Sequence, residues 1–274
     1  MVSNQIKAML PNGFKKREKK MNPLIIIPAR LSATRLPQKP LALIGDKPLV
    51  LHVLERGLEA NIGRVIVACD DEKIASVVKD AGGEACLTDP SLPSGSDRVY
   101  AAANIIDPEE NYDVIINLQG DMPFIDPQVI KYSFEPLQDK NVDIATLAVK
   151  LDDEERKSNP SIAKIAMIEG KNPHIQQALY FSRSVIPHGA MIHYHHIGLY
   201  SYRRQALKSF VHHPPSPLEF AEKLEQLRAL EAGLRIDVRI VDAVPFEVNT
   251  PEDLLESQKL VKTFRNSWKD NLLA

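Results

Sequence analysis

The sequence predicts an α/β protein built on a doubly wound, mostly parallel sheet. From Leu24 to about residue 150, short runs rich in Ile and Val alternate with stretches of helical length and amphipathic period. Glycine and proline punctuate the joins, and the apolar runs are strand length, short of the roughly 18 residues of a membrane span.

The strand candidates are 24–28, 64–69 ("RVIVAC"), 84–87, 113–119 ("DVIINLQ") and 143–149 ("DIATLAV"). Helices are expected between them, over about 48–60, 71–81, 97–105 and 127–137, with Gly82-Gly83 stopping the second. This alternation argues for parallel pairing through right-handed crossovers. Beyond Lys150 the rhythm breaks. A charged, helix-prone segment, "DDEERKSNP", precedes a strand candidate at 163–168 and then a loop-like region rich in His, Pro and Gly. A strand and turn over 196–204 follow, then one helix over 216–233, with Ser216 as N-cap, Pro217 in the first turn and Gly233 as stop. A strand "IDVRIVD" and a final helix close the chain, Thr250 capping that helix with Asp253 at the capping-box position.

The 274 residues carry 44% apolar and 26% charged residues, ample for one buried core. Residues 1–20 hold "KKREKK" without apolar periodicity, and read as a disordered basic tail or a start upstream of the true one at Met21. Residues 21–274 read as one domain. The tail is basic and the body acidic, so general nucleic-acid binding is not expected, and neither is a membrane span. Cys69 and Cys86 lie in apolar runs and read as buried free thiols, in keeping with a reducing cytoplasm.

Ligands of open α/β sheets bind beyond the carboxyl ends of the strands, so the loops there matter most. The first, 29–39, has no glycine but carries Arg30, Arg35 and Lys39, stiffened by Pro37 and Pro40. Three fixed cations suit a polyphosphate, although a solvated loop would carry the same residues. The second, "NLQGDMPF", places Gln119 and Asp121 at the sheet edge, where a carboxylate suits Mg²⁺; an Asx turn before Pro123 is the plain alternative. The third, "SLPSGSDRV", offers Ser94, Gly95 and Ser96 as hydrogen-bonding groups for a base or ribose, with Ser96 also suited to cap the helix beginning at Asp97.

Taken in order, "IIIPAR…TRLPQKPL", "SGSDR", "NLQGDMP", "IGLYSYR", "SPLE…LEQLR" and "VNTPEDL" resemble the 3-deoxy-D-manno-octulosonate (Kdo) cytidylyltransferases, over nearly the whole body. The resemblance implies a nucleotidyltransferase-type sheet with a smaller sugar-binding and dimerisation lobe, within about 150–215. It implies CMP transfer from CTP to Kdo, with Mg²⁺, in a cytoplasmic homodimer serving lipopolysaccharide synthesis. It also assigns roles. Arg30, Arg35 and Lys39 would hold the triphosphate, with Arg30, Lys39 and Asp121 catalytic. Ser94 and Gly95 would read cytosine, and Gln119 and Asp121 would lie beside ribose and metal. His196, Tyr200, Glu225 and Gln226 would surround the sugar.

Three positions depart from the resembled pattern. Gln38 stands where glycine is usual, which would make positive φ harder to reach. Ser96 replaces a threonine. Asn249 replaces the second metal carboxylate, and its carbonyl oxygen is expected to ligate instead. Other readings are weaker. "HYHHIGLY" does not make a zinc site, because the adjacent His195 and His196 point to opposite faces of a strand. The missing G-x-G-x-x-G argues against a dinucleotide oxidoreductase. A sialic-acid cytidylyltransferase, or a non-catalytic nucleotide-binding protein on the same fold, are the alternatives.

Overall fold

The computed structural model describes residues 21–32, 35–170 and 172–271; the tail expected over 1–20 lies outside the described residues. The first half follows the expected alternation. Strands β1 (Pro23–Ala29), β4 (Arg64–Cys69), β5 (Ala85–Leu87) and β6 (Val114–Asn117) are joined through helices α1 (Leu49–Ala60), α2 (Glu72–Asp80) and α3 (Gly95–Ile106). A two-residue ladder, β2 (Leu43–Ile44) with β3 (Lys47–Pro48), leads into α1.

All four long first-half strands pair in parallel, in the order β5-β4-β1-β6. Their near-continuous apolar sequence follows from being covered on both faces. Ile25 and Ile27 pack with Val50 and Val53 of α1 and Ile74 of α2, whereas Leu24 and Ile26 pack with Val99 and Ala102 of α3. The chain thus winds to one side of β1 and then returns to the other, which sets a topological switch point between β1 and β6. The same alternation separates the thiols. Ala68 is the partner of Cys86, so Cys69 and Cys86 face opposite layers, and both are free and buried.

The second half corrects the expected parallel order. Strand β7 (Ile144–Leu151) is not beside β6; β10 (His193–Arg203) lies between them, antiparallel to both. The sheet then runs on through β11 (Ile236–Val241), β9 (Ile175–Ser182) and β8 (Lys164–Glu169), giving nine strands among the described residues. Strand β9 falls in the region read as loop. Its Gln176-Gln177 pair hides the period-two pattern, yet Gln176, Ala178 and Ser182 are buried. Lys164 of β8 is likewise buried, its ammonium donating to the carbonyls of Asn159, Ile162 and Arg183.

Two expected helices are shorter than their sequence pattern. The first, α4 (Pro127–Tyr132), stops because Pro136 has no N–H to donate to the carbonyl of Tyr132, and a 3₁₀ turn (Glu135–Gln138) follows. The second, 216–233, is two helices, α7 (Pro217–Glu222) and α8 (Gln226–Glu231), with Lys223 left-handed at φ 54°. Arg183 explains the break, because its guanidinium takes the carbonyls of Glu222 (3.2 Å) and Lys223 (3.3 Å). The Glu222 carboxylate in turn accepts from Ser182 and from the Arg183 N–H. The expected caps are present: Ser216 forms a capping box with Glu219, and Thr250 and Asp253 bond reciprocally at the start of α9 (Pro251–Asn271). Helices α5 (Glu154–Ser158) and α6 (Arg204–His212) complete the described elements. No helix among the described residues is long and apolar enough to cross a membrane.

The halves are locked by a buried ion pair. Arg204 at the start of α6 donates to the Asp107 carboxylate at 2.7 Å and to the Asp107 carbonyl at 2.7 Å. Burial alone would raise the Asp107 carboxyl; N–H donors from Tyr112 and Asn111, with Arg204, outweigh it and hold the group below its ordinary value. Removing one partner strands a buried charge, so Asp107→Ala is expected to cost about 3–5 kcal/mol at neutral pH by urea unfolding. Because the folded value is depressed, this contribution is present above roughly pH 4 and is lost as pH falls through the folded value. The penalty should therefore shrink in the acid; an equal penalty at pH 7 and in strong acid would contradict this account.

Candidate active site

The switch point between β1 and β6 opens into a cleft. It is lined by Arg30 and Lys39 from the loop after β1, Gly95 and Arg98 from the start of α3, and Gln119 and Asp121 from the loop after β6. Five of the six were expected from sequence.

The loops approach closely because their backbones are shaped for it. A Cβ on Gly120 would stand 2.6 Å from the carbonyl oxygen of Pro28, so only glycine lets the β6 loop lie against the end of β1. Gln38 adopts φ 55°, ψ 30°, the left-handed conformation that seemed unfavourable for it, and its carbonyl accepts the N–H of Leu41 at 2.8 Å. That turn places Lys39 at the first position of a 3₁₀ turn (Lys39–Leu41) with its side chain aimed at the cleft. A non-glycine residue there carries about 1 kcal/mol of strain.

Lys39 Nζ donates to Asp121 Oδ2 at 2.9 Å and to Asn249 Oδ1 at 3.0 Å. Asn249 is delivered from the far end of the sequence by a backbone bond, in which the N–H of Val248 donates to the Asp121 carbonyl at 2.9 Å. The neighbouring carboxylate, Glu247, was not singled out from sequence. Its Oε2 accepts from Asn249 Nδ2 at 3.1 Å. Burial, then the Asp121 charge, push its carboxyl up to about 7. The signal was present in "FEVN": Glu247 and Asn249 flank the buried Val248, so they fall on one side of the chain.

Arg98 is the other residue that sequence reasoning passed over, although it ends the quoted "SGSDR". It is fully buried, at 0% exposure, and its Nε and Nη2 find no hydrogen-bond partner among the described residues. Nη1 donates to Thr88 Oγ1 at 2.5 Å, and Nη2 stands 3.7 Å from Asp70 Oδ2. Burial lowers its pKa, and Arg30 adds to the effect. Buried donors left open beside a cleft suit an acceptor-rich ligand. The first turn of α3 buries Ser96, Arg98 and Val99, and a core-facing arginine beside apolar neighbours was the available sign. Asp70 also accepts the N–H of Leu31 at 3.0 Å, tying the basic loop to the end of β4.

The remaining expected residues divide. Arg35 is exposed on its loop and is not among the residues lining the cleft. Ser94 rather than Ser96 is the N-cap of α3, accepting the N–H of Asp97 at 3.2 Å, so the helix starts two residues earlier than expected and Ser96 is buried in its first turn. Ser94 Oγ also lies 3.2 Å from Glu225 Oε1, which brings one residue of the expected sugar set against one of the nucleotide set. Glu225 has a raised carboxyl pKa, chiefly from burial. Tyr200 and His196 sit together on β10 with ring centroids 5.4 Å apart, and Phe181 packs edge-on to His196. His196 is buried, bonded to Thr146 Oγ1, and pushed down to about 3 by burial and by His195 and Arg183, so it is neutral at ordinary pH. His195 lies against Arg156, away from His196. Gln226 is buried with its amide nitrogen unpartnered among the described residues.

A family model described as Cytidylyltransferase matches residues 24–236. A curated protein of Paramagnetospirillum magneticum named 3-deoxy-manno-octulosonate cytidylyltransferase is 49% identical over 242 residues, covering 88% of this chain and 98% of that protein. Proteins of the same name from Bradyrhizobium sp. and Rhodopseudomonas palustris are 53% and 54% identical, over 87% and 84% of this chain and 96% and 94% of theirs. A solved structure of CMP:2-keto-3-deoxy-manno-octonic acid synthetase complexed with CTP superposes with a TM-score of 0.80 at 36% identity, covering 88% of this chain and 99% of that one. By sequence along most of its length and by the fold that carries this cleft, the chain belongs to the cytidylyltransferase family.

Proposed function

We propose that the chain transfers CMP from CTP to the anomeric hydroxyl of Kdo, releasing pyrophosphate, in the cytoplasm and for lipopolysaccharide synthesis. The observation that carries this reading is the convergence of Lys39, Asp121 and Asn249 at the switch-point cleft, beside Arg30 and the open donors of Arg98. The names of the relatives, and the CTP in the solved structure's title, support the choice of substrates.

Nucleotidyl transfer asks the protein mainly to align the attacking hydroxyl with the α-phosphorus and to offset charge as pyrophosphate leaves. Arg30 and Lys39 supply cations on the basic loop, with Arg35 available from its exposed position. Arg98, Ser94, Gly95 and Gln119 offer donors and acceptors for the nucleoside end. Tyr200, Glu225 and Gln226 face the sugar acid, with neutral His196 packed behind Tyr200. The Asp121 and Asn249 oxygens converge on the Lys39 ammonium, so this oxygen-only pair accepts a cation, and the donor set fits Mg²⁺. When bound, Mg²⁺ supplies charge neutralisation and polarisation of the phosphate oxygens.

Residues 150–215 are proposed as the lobe that pairs two copies. Ile168, Leu179, Val185, Met191 and Ile192 are exposed there, and Met191 is 93% accessible.

Pyrophosphate release from CTP with Kdo, against the same assay with sialic acid, tests the function. Release with Kdo is expected; release with sialic acid alone would reassign the substrate, and release with neither would favour a non-catalytic binder. Lys39→Ala and Asp121→Asn should each lower kcat by about 10²–10³-fold while leaving the melting temperature within a few degrees. Gln38→Gly should hold KM for CTP within about twofold, because glycine accepts the left-handed turn, whereas Gln38→Val should raise it several-fold. Equal KM values for the two variants would remove the backbone turn from the account.

A further inference from the structure

Asn249 is an amide at a position where a cation is to be held, and an amide has two ends. One end must be turned outward before its oxygen can serve. Its Nδ2 donates to Glu247 Oε2 at 3.1 Å, and that contact leaves Oδ1 pointing at Lys39 Nζ, 3.0 Å away. A carboxylate only accepts when ionised, so it selects one amide orientation and rejects the flipped one, which would set oxygen against oxygen. The neutral amide also lacks the charge that a second carboxylate would give, and Glu247 places a carboxylate directly behind it. Such groups behind a ligand fix its direction and tune the ion it holds.

We infer that Glu247 is a positioning residue for the divalent cation, orienting the Asn249 carbonyl and supplying from one residue further back the negative charge that Asn249 lacks. This rests on the reading that Asp121 and Asn249 hold the ion. Glu247, Asn249, Lys39 and Asp121 form a continuous run of contacts, with the Lys39 ammonium between the Asn249 and Asp121 oxygens that would hold the ion. The inter-loop bond from Val248 to Asp121 holds both ends in register. Moving the charge forward to residue 249 should therefore make a carboxylate at 247 dispensable.

The test uses Mn²⁺ titrated into the full chain with one equivalent of CTP and no sugar acid. Free ion is counted by electron paramagnetic resonance, and binding to CTP alone is subtracted. Glu247→Ala, which removes both orientation and charge, should weaken Mn²⁺ by about 10–100-fold. Glu247→Gln, which keeps an acceptor oxygen but no charge, should fall between Glu247→Ala and the natural chain. The double variant Glu247→Gln with Asn249→Asp should return to within a few-fold of the natural chain. Circular dichroism melts check that each variant is folded, and the near-isosteric Glu247→Gln stands in if Glu247→Ala is not. Natural affinity in folded Glu247→Ala or Glu247→Gln, with Asp121→Asn weakened, would overturn the role of Glu247 and leave the ion site standing. A folded double variant that does not recover would overturn it as well. If the natural chain takes up no Mn²⁺ beyond that held by CTP, the reading of the ion site itself falls, and this inference with it.

Discussion

The site depends on one ammonium group. Lys39 Nζ joins residues 82 and 210 positions away in sequence, binding Asp121 and Asn249 at once. Without it, the Asp121 carboxylate, the half-buried Glu247 carboxyl and their surroundings would crowd like charges in a half-buried cleft. Glu247 shows the tendency: burial first, and then the Asp121 charge, push its carboxyl up to about 7. The cleft is therefore built to want positive charge, and its position at the switch point makes it reachable from three strand ends.

How that ammonium reaches its place is a backbone matter. The basic loop carries no glycine between Pro28 and Gly45, so the left-handed turn falls to Gln38. The strain is held because the turn's carbonyl caps the 3₁₀ turn, while Asp70 pins the Leu31 end of the loop. On the opposite wall the absent Cβ of Gly120 does the complementary work of close approach. A left-handed residue behind Lys39 and a glycine lining the cleft are thus each there for geometry rather than for chemistry.

Much of this could be read from the residues. The first four parallel strands, the caps at Ser216 and Thr250, and the placement of Arg30, Lys39, Gly95, Gln119 and Asp121 around one cleft follow from hydrophobic period and strand-end position. What could not be read has a common cause: it depends on partners far away in the chain. Strand β9 was hidden by Gln176 and Gln177, which only its neighbours in the sheet make internal. The helix over 216–233 breaks because Arg183 takes its carbonyls, and no local propensity encodes that. Arg98 is made internal only by the packing of α3 on the sheet. Glu247 is brought to the cleft only by the bond that ties Val248 to Asp121.

Strand β10 bears on how the protein could be taken apart. It pairs with β6 through Tyr200 and Asn117 and with β7 through His196 and Ala148, so a single strand seams the parallel first half to the mixed second half. A fragment ending before β7 would keep every basic residue of the cleft except those needing the C-terminal loop, yet it would bare the whole edge of β6. Such an edge invites pairing with other chains. The two halves are accordingly not modules that evolution or an engineer could exchange at a linker. Any recombination that respects the fold must carry β10 together with both of its neighbours.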